Sequence, residues 1–134
     1  MALSPAARAF LSEERFAVLA TINANGTPQQ TVMWYELRGD TIVMNTTTSR
    51  VKGRNLARDR RISICVADGY RYVTIAGEAQ LVEEQATAQE DIHRLAIRYN
   101  GEESAARQMA EQFSKQERVS IYLPVERANA YGFE

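Results

Sequence analysis

Apolar and polar residues alternate with a period of two over several short runs, the spacing of half-buried strands. "FAVLATIN" (16–23) predicts the first strand. "QQTVMWYEL" (29–37) predicts the second, with Val32 and Trp34 on one face and Met33 and Tyr35 on the other. "TIVMNTT" (41–47), "RISICVAD" (61–68) and "YVTIAGEAQLVE" (72–83) continue the series, and "RVSIYLPVERANAYGF" (118–133) closes it, with Pro124 at a strand edge or end. Asn25-Gly26, Gly39-Asp40 and Gly69 supply the turns, and Asn25-Gly26 is expected to provide the positive φ angles of a tight hairpin. Gly77 inside a strand predicts a bulge or the close approach of another backbone.

The period changes to that of a helix in four places. Ser4 and Pro5 read as N-cap and first residue of "SPAARAFLSEE", and Ser49 as the N-cap of "SRVKGRNLARD". Ile92, Leu95, Ala96 and Tyr99 form one apolar stripe between Thr87 and Tyr99. Ala106, Met109, Ala110 and Phe113 form another in "ESAARQMAEQF". The pattern therefore predicts about six antiparallel strands with short helices, and six such strands close most economically into a small barrel. No glycine-rich strand-to-helix turn favours a Rossmann domain.

The chain has 134 residues and a net charge of −1, which fits one domain spanning 1–134 and gives no overall field toward nucleic acid or membrane. The lone Cys65, in an apolar strand, excludes an intrachain disulfide and a cysteine-based zinc cluster, reads as core, and suits a reducing cytoplasm. The N-terminus lacks the pattern of a signal peptide, and no apolar run approaches the ~20 residues of a spanning helix.

Against that neutral background, "NTTTSRVKGRNLARDRR" (45–61) places six cations between Arg50 and Arg61. A helix N-terminus offers unpaired N–H groups and the positive end of a dipole. Thr46, Thr47, Thr48 and Ser49 add hydroxyls there, and Arg50 and Lys52 add charge suited to a phosphoryl group. Arg58, Arg60 and Arg61 lie toward the helix C-terminus, where cations suit the dipole without any ligand.

"SRVKGRNLARDRRISICV" resembles the passage from the third strand into the fourth in the pyridoxamine-phosphate-oxidase-like split-barrel proteins, and most of all their branch of coenzyme F-420 (deazaflavin)-dependent enzymes. "FAVLATINANGTPQQTVMWYE" resembles the family's first hairpin, "YVTIAGEAQLV" a later strand and "RVSIYLPVERANAYGF" its closing strand. The resemblance implies a mainly β fold, a six-stranded antiparallel split β-barrel. It also implies a homodimer with a flavin or deazaflavin at the interface, and hydride transfer with a small unsaturated or conjugated substrate. Arg50 and Lys52 would hold the cofactor phosphate, with Arg54 and Asn55 near it. Met44, Asn45, Thr46 and Thr47 would run beside the ring, Pro28 and Gln29 would approach it, and Tyr70 and Tyr72 would reach it from the partner. "RVKGRNL" replaces the "RxxLLK" spacing of the vitamin-forming oxidases, and their C-terminal substrate segment is missing, which argues against pyridoxamine phosphate oxidation itself.

FMN is the alternative cofactor: it ends in a phosphate dianion, whereas the deazaflavin carries a phosphodiester and an acidic tail that Arg54 and Arg58 could follow. A binding module that stores a flavin or binds haem without turnover is the reading from another class, favoured by the lack of an evident proton donor. Tyr35, Tyr70 and Tyr72 are donor candidates better explained as core or wall. Trp34 suits packing more than ring stacking. His93 reads as a surface or packing residue, and Glu83, Glu84, Glu90 and Asp91 as a solvated helix entrance.

Overall fold

The computed structural model describes residues 3–133. The chain runs α1 (Pro5–Ser12), β1 (Ala17–Ile22), β2 (Pro28–Met33), β3 (Glu36–Arg38), β4 (Thr41–Thr47), α2 (Val51–Arg58), β5 (Arg61–Asp68), β6 (Arg71–Glu78), β7 (Gln80–Val82), α3 (Gln85–Asn100), α4 (Glu102–Glu111), a 3-10 turn (Phe113–Lys115), β8 (Arg118–Pro124) and β9 (Ala128–Tyr131). The strands form two antiparallel sheets, β2-β1-β5-β6-β9 and β3-β4-β8-β7. This is the mainly β split-barrel architecture, with nine strands among the described residues where six were expected.

The difference has one cause. Three segments that read as single strands each leave one sheet and enter the other. At 34–35 the Tyr35 N–H donates to the Tyr99 hydroxyl at 3.0 Å instead of to a neighbouring strand. The Tyr35 ring is buried, and its hydroxyl donates to the Leu11 carbonyl at 2.8 Å, so β2 ends and β3 begins in the second sheet. At Ala79 the N–H donates to the Arg60 carbonyl at 2.7 Å, and β7 follows in the second sheet. After Pro124, Val125 N–H donates to the Asp40 carbonyl at 2.8 Å, and β9 returns to pair with β6. No glycine, asparagine or aspartate stands at 34–35, at 79 or at 125–127 to signal a break, so the sequence reads one strand where there are two.

Ser4 caps α1 as expected, its hydroxyl accepting from Ala7 N–H at 3.1 Å. Phe10 and Leu11 of that helix plug the barrel between Leu19, Ile64 and Ile75 of the first sheet and Ile42, Met44, Ile121 and Leu123 of the second. Each such fully buried side chain contributes ~1.5–3 kcal/mol by removing apolar surface from water. A second cluster, Ile92, Leu95, Ala96, Ala105 and Phe113, packs α3 and α4 together beside Trp34. Three local expectations are corrected. In the 23–27 loop only Gly26 has positive φ (87°), so Asn25 does not share the turn geometry. The close neighbour of Gly77 is the Leu123 side chain, 3.2 Å from where a Cβ would stand, and not a backbone. Cys65 is half-buried and alternates with the buried Ile64 and Val66, so it lies on the outer face of its sheet and not in the core.

Gly53 sets how closely α2 can approach β4. A Cβ there would lie 2.4 Å from the Thr47 carbonyl oxygen and 3.2 Å from that of Thr48. Backbone cannot yield as a side chain can, so the cost falls on the helix position. Gly53→Ala is expected to lower stability by about 1–3 kcal/mol, read as a lower midpoint in urea or heat. An unchanged midpoint would show that α2 can slide away freely.

Candidate functional site

The end of β4, the start of α2 and the start of β8 converge on one cavity. Asn45 pairs with Ser120 and Thr47 with Arg118 in the β4–β8 ladder, which brings the C-terminal end of one strand beside the first residue of the other. The cavity has a volume of ≈ 210 Å³. Asn45, Thr46, Arg50, Lys52 and Arg118 give it a polar side, and Val32, Met33, Trp34, Ile92, Leu95 and Phe113 complete the lining with apolar groups, Phe113 lying directly under the Arg118 guanidinium. Trp34 stacks on Tyr99 (centroids 5.3 Å apart, planes 10° apart) and meets Phe113 edge-on at 6.4 Å.

The polar side is electrostatically unbalanced. Lys52 and Arg118 are each only 6% exposed, and neither has a carboxylate partner among the described residues. Burial, then the charges of Arg50 and Arg118, hold the Lys52 ammonium below its ordinary 10.5. Burial, then Arg50, pulls the Arg118 guanidinium down to about 10, low for the group yet still charged at neutral pH. Arg118 Nε donates to Asn45 Oδ1 at 2.7 Å and Nη1 donates to Gln116 Oε1, while Nη2 has no protein partner among the described residues. A buried charge is normally paired, and leaving one unpaired costs several kcal/mol. An anion in the cavity would answer it.

The α2 N-terminus adds to the same field. Its N-cap is Arg50 and not Ser49 as expected, and no side chain caps it. The first-turn N–H groups thus lack a side-chain acceptor, and a helix end in that state favours an anion. Of the hydroxyls expected to help, Thr46 lines the cavity, Thr47 lies 3.4 Å from Ser49 Oγ, and Thr48 donates to Glu117 at 3.0 Å.

Of the residues singled out in the sequence, Asn45, Thr46, Arg50 and Lys52 line the cavity, and the other eight do not. Met44 points into the barrel core, and Thr47 is buried beside it in β4. Arg54 is exposed and donates to the Ser49 carbonyl at 2.6 Å. Asn55 tethers α2 to the first hairpin, donating to Thr21 Oγ1 (3.0 Å) and Asn23 Oδ1 (3.1 Å) and accepting from Arg58 (2.7 Å). Pro28 is exposed on β2, and Gln29 accepts from Thr21 at 3.1 Å. Tyr70 is 89% exposed in the β5–β6 turn, and Tyr72 stacks on Tyr131 on the outer face of the sheet. Tyr35 is no cavity group: burial raises its hydroxyl to about 12.

Arg118 escapes the sequence reading because it lies 66 positions beyond Lys52 and opens a stretch that reads only as the closing strand. The signal available was a cation heading the alternation Arg118, Ser120, Tyr122. Asp91 is corrected: it is 3% exposed, not solvated, and pairs with Arg38 at 3.1 Å. Glu84, from the same acidic set, caps α3 by accepting from Thr87 and Ala86 N–H. His93 is half-buried on α3 and outside the cavity lining. No described helix is long and apolar enough to cross a membrane.

The family model "Pyridoxamine 5'-phosphate oxidase" matches residues 3–130. Among curated proteins none matches. The conserved hypothetical protein Rv2991 from Mycobacterium tuberculosis is 27% identical with a TM-score of 0.80, over 98% of this chain and 86% of that one. A structure described as "F420 Reductase" is 27% identical with a TM-score of 0.75, over 91% and 94%. A heme binding protein from Mycobacterium smegmatis is 26% identical with a TM-score of 0.70; the match covers 98% of this chain and 55% of that longer one.

The unbalanced charge has a thermodynamic signature. Lys52→Met keeps the packed stem and removes the buried ammonium. Because folding depresses the Lys52 pKa, its cost is fully present at neutral pH and fades only as pH rises toward the unfolded value of 10.5. Lys52→Met is therefore expected to raise the melting temperature of the free protein at pH 7. It should also reduce the extra stabilisation that inorganic phosphate gives over chloride at equal ionic strength. A lower melting temperature with the phosphate effect intact would contradict an anion site at Lys52.

Proposed function

The chain belongs to the pyridoxamine 5'-phosphate oxidase family, and on that premise we propose that it is an oxidoreductase that binds coenzyme F-420. In this reading it serves hydride transfer between the deazaflavin and a small unsaturated or conjugated substrate. The observation that carries the proposal is the pair of largely buried cations, Lys52 and Arg118, left without an acid in a cavity whose remaining lining is mostly aromatic and apolar. That donor set fits a phosphoryl group attached to a largely apolar molecule. The relative described as "F420 Reductase" supports the choice of cofactor.

Lys52, Arg118, Arg50 and the first turn of α2 would hold the phosphoryl oxygens. Bound deazaflavin supplies a two-electron hydride chemistry of its own. The protein's part is position and dryness: Trp34, Phe113, Ile92 and Leu95 exclude water from the apolar part, and the cations fix one end of the ligand. The lining offers no carboxylic acid or histidine to hand over a proton, so the proton would come from the Lys52 ammonium, from solvent or from a residue of a second copy.

A second copy also answers a problem of size. A cavity of ≈ 210 Å³ is smaller than the ~300–1,000 Å³ of an ordinary small-molecule site. Val32, 66% exposed, belongs both to its rim and to the outer face of the five-stranded sheet. There the cross-strand row Val32, Val18, Cys65, Thr74 and Asn129 carries no charge. We read this face as the seat of a homodimer in which the partner completes the site; Tyr70 and Tyr72 remain the aromatic residues placed to reach across.

FMN is the second reading, and one observation favours it. The cations that could follow an acidic tail are engaged elsewhere: Arg54 with the Ser49 carbonyl, Arg58 with the Ile22 carbonyl and Asn55. The remaining cations form a compact group suited to a terminal dianion. Haem fits less well, since Met33 is the one axial-ligand type in the cavity lining, which contains no histidine or cysteine.

Titrating the purified protein with coenzyme F-420 and with FMN while following fluorescence quenching tests the assignment. Arg50→Ala and Lys52→Ala should each weaken binding by about 1–3 kcal/mol, the range for hydrogen bonds to charged groups. The exposed Arg60→Ala is the control and should change little. Equal losses at all three positions would mean a diffuse basic surface, and tight FMN binding without a deazaflavin response would reverse the ranking. For the dimer, Val32→Glu should shift the protein from dimer to monomer in sedimentation and weaken cofactor binding with it; a monomeric parent protein would sink that part of the proposal.

A further inference from the structure

Arg118 is fixed by a series of hydrogen bonds that begins at groups outside the cavity lining. We infer that Asp91 is a positioning residue for the anion site, acting on Arg118 through Ser120 and Asn45; the inference rests on reading the cavity as a phosphoryl site. Asp91 Oδ2 accepts from Ser120 Oγ at 2.6 Å, and also from the Tyr122 hydroxyl at 2.6 Å. Ser120 Oγ in turn accepts from Asn45 Nδ2 at 3.2 Å, and Asn45 Oδ1 accepts from Arg118 Nε at 2.7 Å. Asp91, Ser120, Asn45 and Arg118 are all buried.

The direction of each bond in this series is dictated. A carboxylate can only accept, so the single Ser120 hydrogen is committed to Asp91. Ser120 is then left with lone pairs alone, and these call for a donor, the Asn45 amide nitrogen. The Ala88 carbonyl, another pure acceptor, takes the second hydrogen of that nitrogen at 2.9 Å. The Asn45 amide is thereby oriented with its oxygen toward Arg118, where a flipped amide would present a donor to a donor. Gln85 completes the hold: its amide accepts from Arg118 N–H at 3.0 Å and donates to the Arg118 carbonyl at 2.8 Å. With Nε–H and one Nη1–H engaged, the two N–H groups of Nη2 and the second of Nη1 are the donors left for a ligand.

The placement of charge is equally specific. The Asp91 carboxylate is answered on its other oxygen by Arg38, which also binds Glu36 at 2.9 Å, and Glu36 binds Arg94 at 3.0 Å. The acid's charge is therefore spent outward, in a surface network. Only its hydrogen-bond polarity is passed inward. Arg118 gains a fixed direction without gaining a counterion, which keeps it available to an anion.

The experiment needs one readout in the free protein and one with ligand. In nitrogen-15-labelled protein without ligand, the Arg118 Nε–H should exchange with solvent slowly. It should exchange about fivefold faster in Ser120→Ala and in Asp91→Asn, the effect of one ordinary hydrogen bond. Tyr122→Phe removes a donor to Asp91 outside the series and should leave that exchange unchanged. Titration with FMN and with coenzyme F-420 should show about fivefold weaker binding for Ser120→Ala in the parent protein, and no further loss when Arg118 is already Ala. Ser120→Ala removes one oxygen and keeps the inference testable if Asp91→Asn fails to fold. Unchanged exchange in Ser120→Ala, or equal losses with and without Arg118, overturns the inference and leaves the phosphoryl reading standing. Faster exchange in Ser120→Ala while the parent protein binds neither probe supports the positioning role and sinks the phosphoryl reading instead.

Discussion

Two largely buried cations with no acid to answer them, Lys52 and Arg118, are the constraint around which the cavity is arranged. Such charges are tolerated only where their hydrogen-bonding groups are served and their stems are packed. Arg118 meets those conditions through Asn45, Gln116 and Gln85, and its guanidinium also lies over the Phe113 ring at 4.9 Å. Lys52 has its stem packed, in the first turn of a helix that Gly53 allows to press against the β4 backbone, while its ammonium has no protein partner among the described residues. What remain unsatisfied are that ammonium and the net charge, and a phosphorylated ligand would answer both.

Helix α3 is the element that makes this arrangement hold. Gln85 clamps the Arg118 backbone, the Ala88 carbonyl holds Asn45, and Asp91 holds Ser120. Gln89 donates to the carbonyls of Phe113 and Gln116, which fixes the aromatic wall and the second Arg118 partner. Polar residues spaced along one helix thus organise both the polar and the aromatic lining of the cavity, while Ile92 and Leu95 of the same helix line its apolar part. The apolar stripe of this helix was legible from residue spacing. Its polar stripe looked like surface, because a buried acid and a solvated one have the same letter in a sequence.

The legible parts of the molecule were those carried by local pattern. Alternation located the strands, Ser4-Pro5 located the first helix, and the cluster of cations after β4 located one wall of the cavity. The parts that escaped were set by tertiary contacts. No local feature at Trp34-Tyr35 says that Tyr99 will take the strand's N–H, and nothing in "EAQLV" says that Ala79 will turn to the Arg60 carbonyl. Asn55 looked like a ligand contact and is a tether, since its partners Thr21 and Asn23 lie in a hairpin more than thirty residues earlier. Arg118 escaped for the same reason, as its place beside Lys52 exists only once β8 pairs with β4.

The three sheet-switching segments bear on how the molecule comes apart. Each is an unbroken stretch of backbone shared by two ladders, so neither ladder can separate without pulling on the other through three covalent connections. A sandwich whose layers are joined only by loops could lose one layer first; here the layers are laced together. Such lacing favours a single cooperative melting transition, in which the cavity beside these seams would be lost together with the barrel.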